Sequence, residues 1–459
     1  MQCLKKSKVQ FELTKEFLEN LNNIVKNNDV NKVLELIDGL HAVDIAEILD
    51  EQSTEEAKAF YFLLPDELGA DALIELDEDV RERFLKEISS EEIAEKIIEN
   101  LDSDDAADLI GELSEEKQDE VISHIEDIEH ASDIIDLLHY DEDTAGGLMA
   151  KELVKVKIDW DVATCIKEIR RQSEDVEKMY TVYVVDDNNI LQGRISLKKL
   201  LLAPDTKKVK DIYNNEVILI KVDAEGDEVA QKMDKYDLVV IPVIDEIGRL
   251  LGRITIDDVV DFMREEADKD YQMASGISEN VESSDSAWVL TRARLPWLLI
   301  GLFGGILGAQ VIEAYEGQIQ IHPEMAFFIP LIAAMAGNVG VQSSAIVVQS
   351  LANKTLGLDG IWKKLFKELV VGLINGLVLG TLIFFYNFFF GDSLTLSIIV
   401  STSLLSVIVF AAIFGTLVPL MLDKYKIDPA LATGPFITTV NDVFGLFLYL
   451  FIGYLMYAV

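Results

Sequence analysis

The sequence predicts a multidomain chain: an α-helical superhelical region, an α/β region made of two copies of one unit, an acidic connecting helix, and an all-α membrane region with five helices. Three observations carry that prediction. The 459 residues hold 81 acidic and 40 basic side chains although half of them are hydrophobic. Those two properties are segregated, because only eight Lys/Arg and twelve Asp/Glu occur from Tyr271 onward, leaving 32 basic and 69 acidic residues in the first 270. One segment also aligns with itself, without gaps, at an offset of 59 residues. So negative a surface repels phosphate backbones and excludes a nucleic-acid partner. Two cysteines, Cys3 and Cys165, make no disulfide framework and fit a reducing compartment. The stretch from Met1 to Leu13 lacks the apolar core of a secretory signal, so the soluble part is expected in the cytosol.

In chain order, residues 1–140 read as the acidic helical region. Between Asp29 and Glu129 a cue recurs as Asp44-Ile45-Ala46-Glu47, Glu92-Ile93-Ala94-Glu95 and Asp105-Ala106-Ala107-Asp108. Such recurrence points to stacked helical hairpins rather than an enzyme core. Ser90 and Ser103 are candidate helix caps. Residues 141–256 hold the repeat. Tyr183-Val184-Val185-Asp186 through Leu191-Gln192-Gly193-Arg194-Ile195-Ser196 matches Pro242-Val243-Ile244-Asp245 through Leu250-Leu251-Gly252-Arg253-Ile254-Thr255. In each copy strand, turn, strand and helix follow in order. Residues 257–290 continue as an acidic helix carrying Asp257, Asp258, Asp261, Glu265, Glu266, Asp268 and Asp270, with Arg264 and Lys269 among them. Like charges this close repel, so bringing them near other acidic surfaces calls for counter-cations.

Residues 291–459 hold five stretches long enough to cross a bilayer, near Leu295–Val311, Met325–Leu351, Glu368–Phe390, Leu394–Leu422 and Ala430–Ala458. Arg292, Arg294, Lys354, Lys363, Lys364, Lys367, Lys424 and Lys426 all fall on one side, against Glu313, Glu316, Glu324 and Asp392 on the other. The positive-inside rule then places the soluble part in the cytosol and the carboxyl terminus outside a multi-pass cytoplasmic-membrane protein. Gly372, Gly376 and Gly380, with Gly301/Gly305 and Gly304/Gly308, permit close helix approach. Gly337–Ser344 is a polar, small-residue run at bilayer depth, and Gly434-Pro435 followed by Thr438-Thr439-Val440-Asn441-Asp442 is expected to interrupt the fifth span, which implies a water-filled cavity.

Asp442 is the sharpest residue. An intramembrane carboxylate without a basic partner in any span marks a pathway. Its neighbours by sequence are Asn338, Gln342, Asn375 and Asn441, and the candidate pore-lining set is Asn338, Gln342, Gly434, Thr438, Asn441 and Gly445. Oxygen donors without His or Cys suit a hard divalent cation such as magnesium or calcium. One carboxylate is few for a 2+ charge, so the reading requires a homodimer with two Asp442 side chains at one pore.

The repeat resembles a tandem CBS module, about Leu148 to Glu266. Modules of that family often bind adenosine nucleotides through Ser/Thr-x-x-Asp, present as Thr255-Ile256-Asp257-Asp258 but altered to Ser196-Leu197-Lys198-Lys199 in the first copy. ATP, at Thr255 and Asp258, is the nucleotide considered. The whole order of parts resembles the MgtE family of magnesium channels. Asp143-Thr144-Ala145-Gly146-Gly147-Leu148-Met149, Gly337-Asn338-Val339-Gly340-Val341-Gln342, and Asp428-Pro429-Ala430-Leu431 through Asp442-Val443-Phe444-Gly445-Leu446 carry the likeness. The resemblance implies a homodimer in the lipid bilayer with no protein substrate and no enzymatic activity, in which Asp442 recognises hydrated Mg2+. It also implies closure by cytosolic Mg2+ bound at Asp104 and Asp108 facing Asp258, with Glu266 and Asp270 on the connecting "plug" helix. Asp261 joins this regulatory group from the acidic run. The competing reading is an ion-coupled secondary transporter of another divalent cation, regulated by adenine nucleotide at the CBS pair.

Overall fold

A computed structural model describes residues 11, 13–173, 176, 179–278, 281, 286–352, 361–391, 393–432 and 434–458. Cys3, Lys354 and Asp392 lie outside them. The chain divides into two compact units, Met1–Met263 and Arg264–Val459.

The first unit opens on short helices: α1 (Lys15–Lys26), α2 (Val30–Ile37), α3 (Ala42–Asp50), α4 (Thr54–Tyr61), α5 (Asp66–Ile74), α6 (Glu78–Lys86), α7 (Ser90–Lys96), α8 (Ser103–Gly111), α9 (Glu115–His124) and α10 (Ile128–Leu137). Helices of this length are marginal alone in water, so packing must hold them. From α3 onward next-but-one helices pack, α3 on α5, α4 on α6, α5 on α7, α7 on α9 and α8 on α10, while α1 lies on α2 and α4, and this stacking generates the expected superhelix. The recurring cue supplies the core: Ile45 and Ala46, Ile93 and Ala94, and Ala106 and Ala107 are all buried. In two copies its first acid is also a cap. Asp44 accepts from the His41 N–H at 2.8 Å and Glu92 from the Ser89 N–H at 3.2 Å. The caps of α7 and α8 are Ser89 and Asp102, one residue before the expected Ser90 and Ser103. Those two serines occupy the first helical position, where their hydroxyls are free to donate outward, to Glu120 at 2.7 Å and Glu152 at 2.8 Å.

Two three-stranded sheets follow, β1 (Lys155–Lys157), β2 (Val182–Val185) and β3 (Leu191–Ile195), then β4 (Ile220–Lys221), β5 (Val240–Ile244) and β6 (Leu250–Thr255). In each sheet the first strand pairs parallel to the second and the second antiparallel to the third. Helices α11 (Val162–Gln172) and α13 (Gly226–Lys235) cross between the parallel strands, and α12 (Leu197–Leu202) and α14 (Ile256–Ala274) leave the last ones. The offset of 59 extends to fine detail. The register shifts at Val184/Val185 and again at Val243/Ile244. Asp186 accepts from the N–H groups of Asn188 and Ile190, as Asp245 does from Ile247 and Arg249. Left-handed Asn189 (φ 63°) and Gly248 (φ 89°) close the two turns. Those turns also join the copies, Leu191 N–H to Gly248 O and Leu250 N–H to Asn189 O, both at 3.0 Å.

The second unit contains α15 (Ala287–Ala314), α16 (Glu316–Ile321), α17 (Ile329–Ala352), α18 (Ile361–Phe390), α19 (Leu394–Lys424) and α20 (Gly434–Tyr457). Five segments are long and apolar enough to span a bilayer, the second being Pro323–Leu351. α19 is the axle: it packs on α17, α18 and α20, and α20 also packs on α15 and α17. Glycines set the approach, as expected for spans. Gly372, Gly376 and Gly380 bring α18 against Val409, Leu405 and Ser401 of α19. Gly304 and Gly308 bring α15 against α20, whereas Gly301 and Gly305 face open space.

The expected interruption of the last span is corrected here. The polar run Gly337–Ser344 lies inside the continuous helix α17, and Thr438–Asp442 inside the continuous α20. Small and amide residues did not break these helices, because a span in hydrocarbon keeps its backbone bonds internal. The break falls before α20, where Gly434 takes φ 55°. Pro435 then costs nothing, since a second helical residue needs no N–H. No cavity therefore follows from freed carbonyls.

Candidate functional site

Asp442 is the ninth residue of α20, whereas the basic residues of these helices sit at positions six and eight of α15 (Arg292, Arg294), in the first two turns of α18 (Lys363, Lys364, Lys367) and at the end of α19 (Lys424). The side chain is half-buried and makes no ion pair among the described residues. Its Oδ1 is sealed without a hydrogen-bond partner. The seal is α17: a Cβ built on Gly337 would lie 3.1 Å from that oxygen and 2.9 Å from Thr438 Cγ2. Thr438 donates to the Gly434 carbonyl at 3.0 Å. Asn338 and Gln342 stand one turn apart on an exposed face of α17. Asn441 and Gly445 are buried instead, Asn441 under Gly340 and Gly445 against Ala336, Val407 and Ile332, so both are helix-contact positions. Asn375 is exposed on α18, whose glycine face lies on α19, and is not gathered with Asp442.

A second acidic constellation lies within the first unit. Asp102, Asp104 and Glu152 bring one carboxylate oxygen each within 4.8 Å of one another. Ser103 organises it, giving Glu152 its N–H at 3.2 Å and its hydroxyl at 2.8 Å while accepting from the Lys151 N–H at 3.0 Å. Arg253 Nη2 is 3.9 Å from Asp102, and His130 Nδ1 3.9 Å from Glu152. Asp258 accepts from both the N–H (2.9 Å) and the hydroxyl (2.6 Å) of Thr255, capping α14. Burial, then Asp105, Asp258, Glu152 and Asp102, hold the Asp104 carboxyl well above the usual carboxylate range. Burial, then Asp258 and Asp108, push Asp105 up to about 7. Two carboxylates about 5 Å apart repel by roughly 3 kcal/mol at an effective dielectric near 20, so this group favours a cation or protons among its members. Ser103→Ala removes the two hydroxyl bonds, to Glu152 and from the Lys151 N–H, and keeps the backbone one; it is expected to cost about 1–3 kcal/mol locally, read as faster hydrogen exchange at the 103–105 amides.

Sequence reasoning missed Asp102, Asp105 and Glu152. The run Asp102-Ser103-Asp104-Asp105 was the available signal for the first two; nothing in the sequence pointed to Glu152. Of the expected regulatory residues, Asp104 and Asp258 belong to the group, Asp108 is exposed one turn along α8, and Asp261 is exposed on α14. Glu266 pairs with Lys269 at 2.8 Å, and Asp270 is exposed one turn on.

Known proteins match this arrangement along its length. Residues 40–143 match the MgtE intracellular N domain, 145–205 and 209–265 the CBS domain, and 329–452 MgtE, described as a divalent cation transporter. The magnesium transporter MgtE of Thermus thermophilus is 32% identical over 95% of this chain and 98% of its own. The chain belongs to the MgtE family. The magnesium transporter MgtE of Enterococcus faecalis is 34% identical over 70% of this chain and 71% of its own. A solved cytosolic domain of the Mg2+ channel MgtE in complex with ATP is 31% identical, with TM-score 0.50, over 53% of this chain and 99% of that one. An MgtE-family chain is a transporter, not an enzyme. In this member the CBS pair has a cavity of about 340 Å³ lined by Tyr183, Arg194, Asn214 and Glu216. An adjoining one is bordered by Ser196, Lys199 and Tyr236. Both are lined by the two copies together, the second through Leu238 and Val240, and the expected nucleotide pair, Thr255 and Asp258, lines neither.

Proposed function

We propose that this chain forms a homodimeric magnesium channel for Mg2+ uptake across the cytoplasmic membrane, closed by cytosolic Mg2+. The carrying observation is Asp442, a half-exposed carboxylate in mid-span with one oxygen packed on Gly337 and no basic partner among the described residues. Such a charge in hydrocarbon is retained where an ion meets it. Two copies on a twofold axis balance a 2+ guest, and hydrated magnesium, which gives up water reluctantly, suits few carboxylates surrounded by amides such as Asn338 and Gln342. The names of the Thermus and Enterococcus relatives, magnesium transporters, support the same ion. The soluble unit is then cytosolic and the carboxyl terminus outside.

Closure follows from the acidic groups. Asp104, Asp105 and Asp258 repel one another until a divalent ion bridges them. The plug, α14, carries Glu266 and Asp270, and its far end meets the start of the pore helix: Gly434 abuts the Ala274 carbonyl, and Pro435 abuts Gly276. A sensor on α14 thus has a direct path to α20. The ATP complex of the solved relative suggests adenine nucleotide in the CBS cavities as a modulator. The test is ion flux in proteoliposomes. Downhill Mg2+ uptake should need no sodium or proton gradient and should fall as internal Mg2+ rises through the millimolar range; flux that requires a coupling gradient would establish the carrier reading instead. Mass measurement in detergent should give two chains per particle.

A further inference from the structure

Asn441 is buried completely in the second unit, and neither its Nδ2 nor its Oδ1 has a hydrogen-bond partner. An orphaned amide at bilayer depth is costly, so a position that keeps one has a geometric use to be sought. The surroundings supply it. A Cβ on Gly340 of α17 would overlap Asn441 Nδ2 and lie 2.8 Å from Ile437 Cγ2. A Cβ on Gly415 of α19 would in turn overlap the Gly340 carbonyl. The α17 backbone at Gly340 is therefore held closely by both α19 and the carboxamide. Less than one turn away, Gly337 seals Oδ1 of the adjacent Asp442. Two consecutive α20 residues thus straddle the same helix, one on each glycine, and this fixes how α20 is rotated about its axis.

We infer that Asn441 is a positioning residue for the Asp442 carboxylate: wedged under Gly340, it sets the rotation of α20 and so the direction in which Asp442 faces the ion. It does not contact the ion itself. The inference rests on the reading of Asp442 as the pore carboxylate. It assigns Asn441 a role different from that of Asn338 and Gln342, which stand on an exposed face of α17.

The test compares full-length Asp442→Asn, Asn441→Ala, Gly340→Ala and the Gly340→Ala/Asn441→Ala double variant in proteoliposomes, reading initial Mg2+ uptake against Mg2+ concentration and against Co2+. Monodispersity by size exclusion reports folding. Asn441→Ala is expected to raise the half-saturating Mg2+ concentration about fivefold and to shift the Mg2+/Co2+ ratio, with maximal flux within about twofold of the parent, since a loosened α20 turns its carboxylate away. Gly340→Ala should lower uptake at least tenfold, and the double variant should return to the level of Asn441→Ala because the missing carboxamide makes room for the methyl. An unchanged half-saturation and ion ratio in Asn441→Ala would overturn the inference whether or not Gly340→Ala folds. So would a double variant as impaired as Gly340→Ala, which would assign the glycine to Ile437 instead. Asp442→Asn separates the two readings: normal uptake there removes the pore assignment itself, whereas loss there with a parental Asn441→Ala removes only the positioning role.

Discussion

Asp442→Ala is expected to lower Mg2+ uptake by at least about a hundredfold while the protein remains folded and dimeric. The magnitude follows from the charge balance. A charge-assisted hydrogen bond contributes roughly 1.5–3 kcal/mol, and a twofold axis removes two of them at once with a single substitution; each 1.4 kcal/mol is about tenfold. Stability should change little or rise, because the carboxylate makes no ion pair among the described residues and its Oδ1 has no partner to lose. Asp442→Asn sharpens the test by keeping the shape that packs on Gly337 while removing the charge. If charge matters, both variants are silent; if the side chain only fills the seam, Asn behaves like the parent. Radiotracer or fluorescent-indicator uptake, normalised to inserted protein, decides between them, and parental flux in Asp442→Ala would end the pore assignment.

The parts of this molecule that were legible in the sequence are those with local or repeated signals. The CBS copies announce themselves because Gly193-Arg194-Ile195 and Gly252-Arg253-Ile254 recur in the same frame, and the structure repeats even the register shift beside them. The spans are legible because hydrocarbon demands length and apolarity. Illegible features are those set by distant partners. Glu152 reaches Asp104 across 48 positions through a serine that local rules assign to capping. The run after Gly434-Pro435 reads as a helix break, yet polar side chains pass into seams without disturbing the backbone of α17 or α20. Asn338 and Asn441 are the same residue type in similar company, yet the second is buried against Gly340 of a distant helix, a contact no local pattern shows.

Replacing Asp105 and Asp258 together by Asn is expected to leave the channel conducting at cytosolic Mg2+ concentrations that close the parent, with at least a tenfold rise in the concentration needed for half-closure. Two effects compete in this variant. Loss of charge removes repulsion, which favours the closed arrangement; loss of carboxylates removes the ligands through which a divalent ion draws α8 and α14 together. Repulsion between carboxylates at the spacing of Asp102, Asp104 and Glu152 amounts to roughly 3 kcal/mol per pair at an effective dielectric near 20 and sets an upper bound for Asp105 and Asp258, whereas millimolar affinity for the bridging ion corresponds to about 4 kcal/mol. Neutral amides relieve the first without replacing the second, since hard cations bind amides far less well than carboxylates. Asn at 258 still offers an oxygen to the Thr255 N–H and hydroxyl, so the start of α14 stays capped. Flux at stepped internal Mg2+, with Asp442 intact, measures the outcome. Closure at the parental concentration would remove these carboxylates from the sensor. Closure at every concentration would show that repulsion alone holds the channel open, and the bridging account would fall with it.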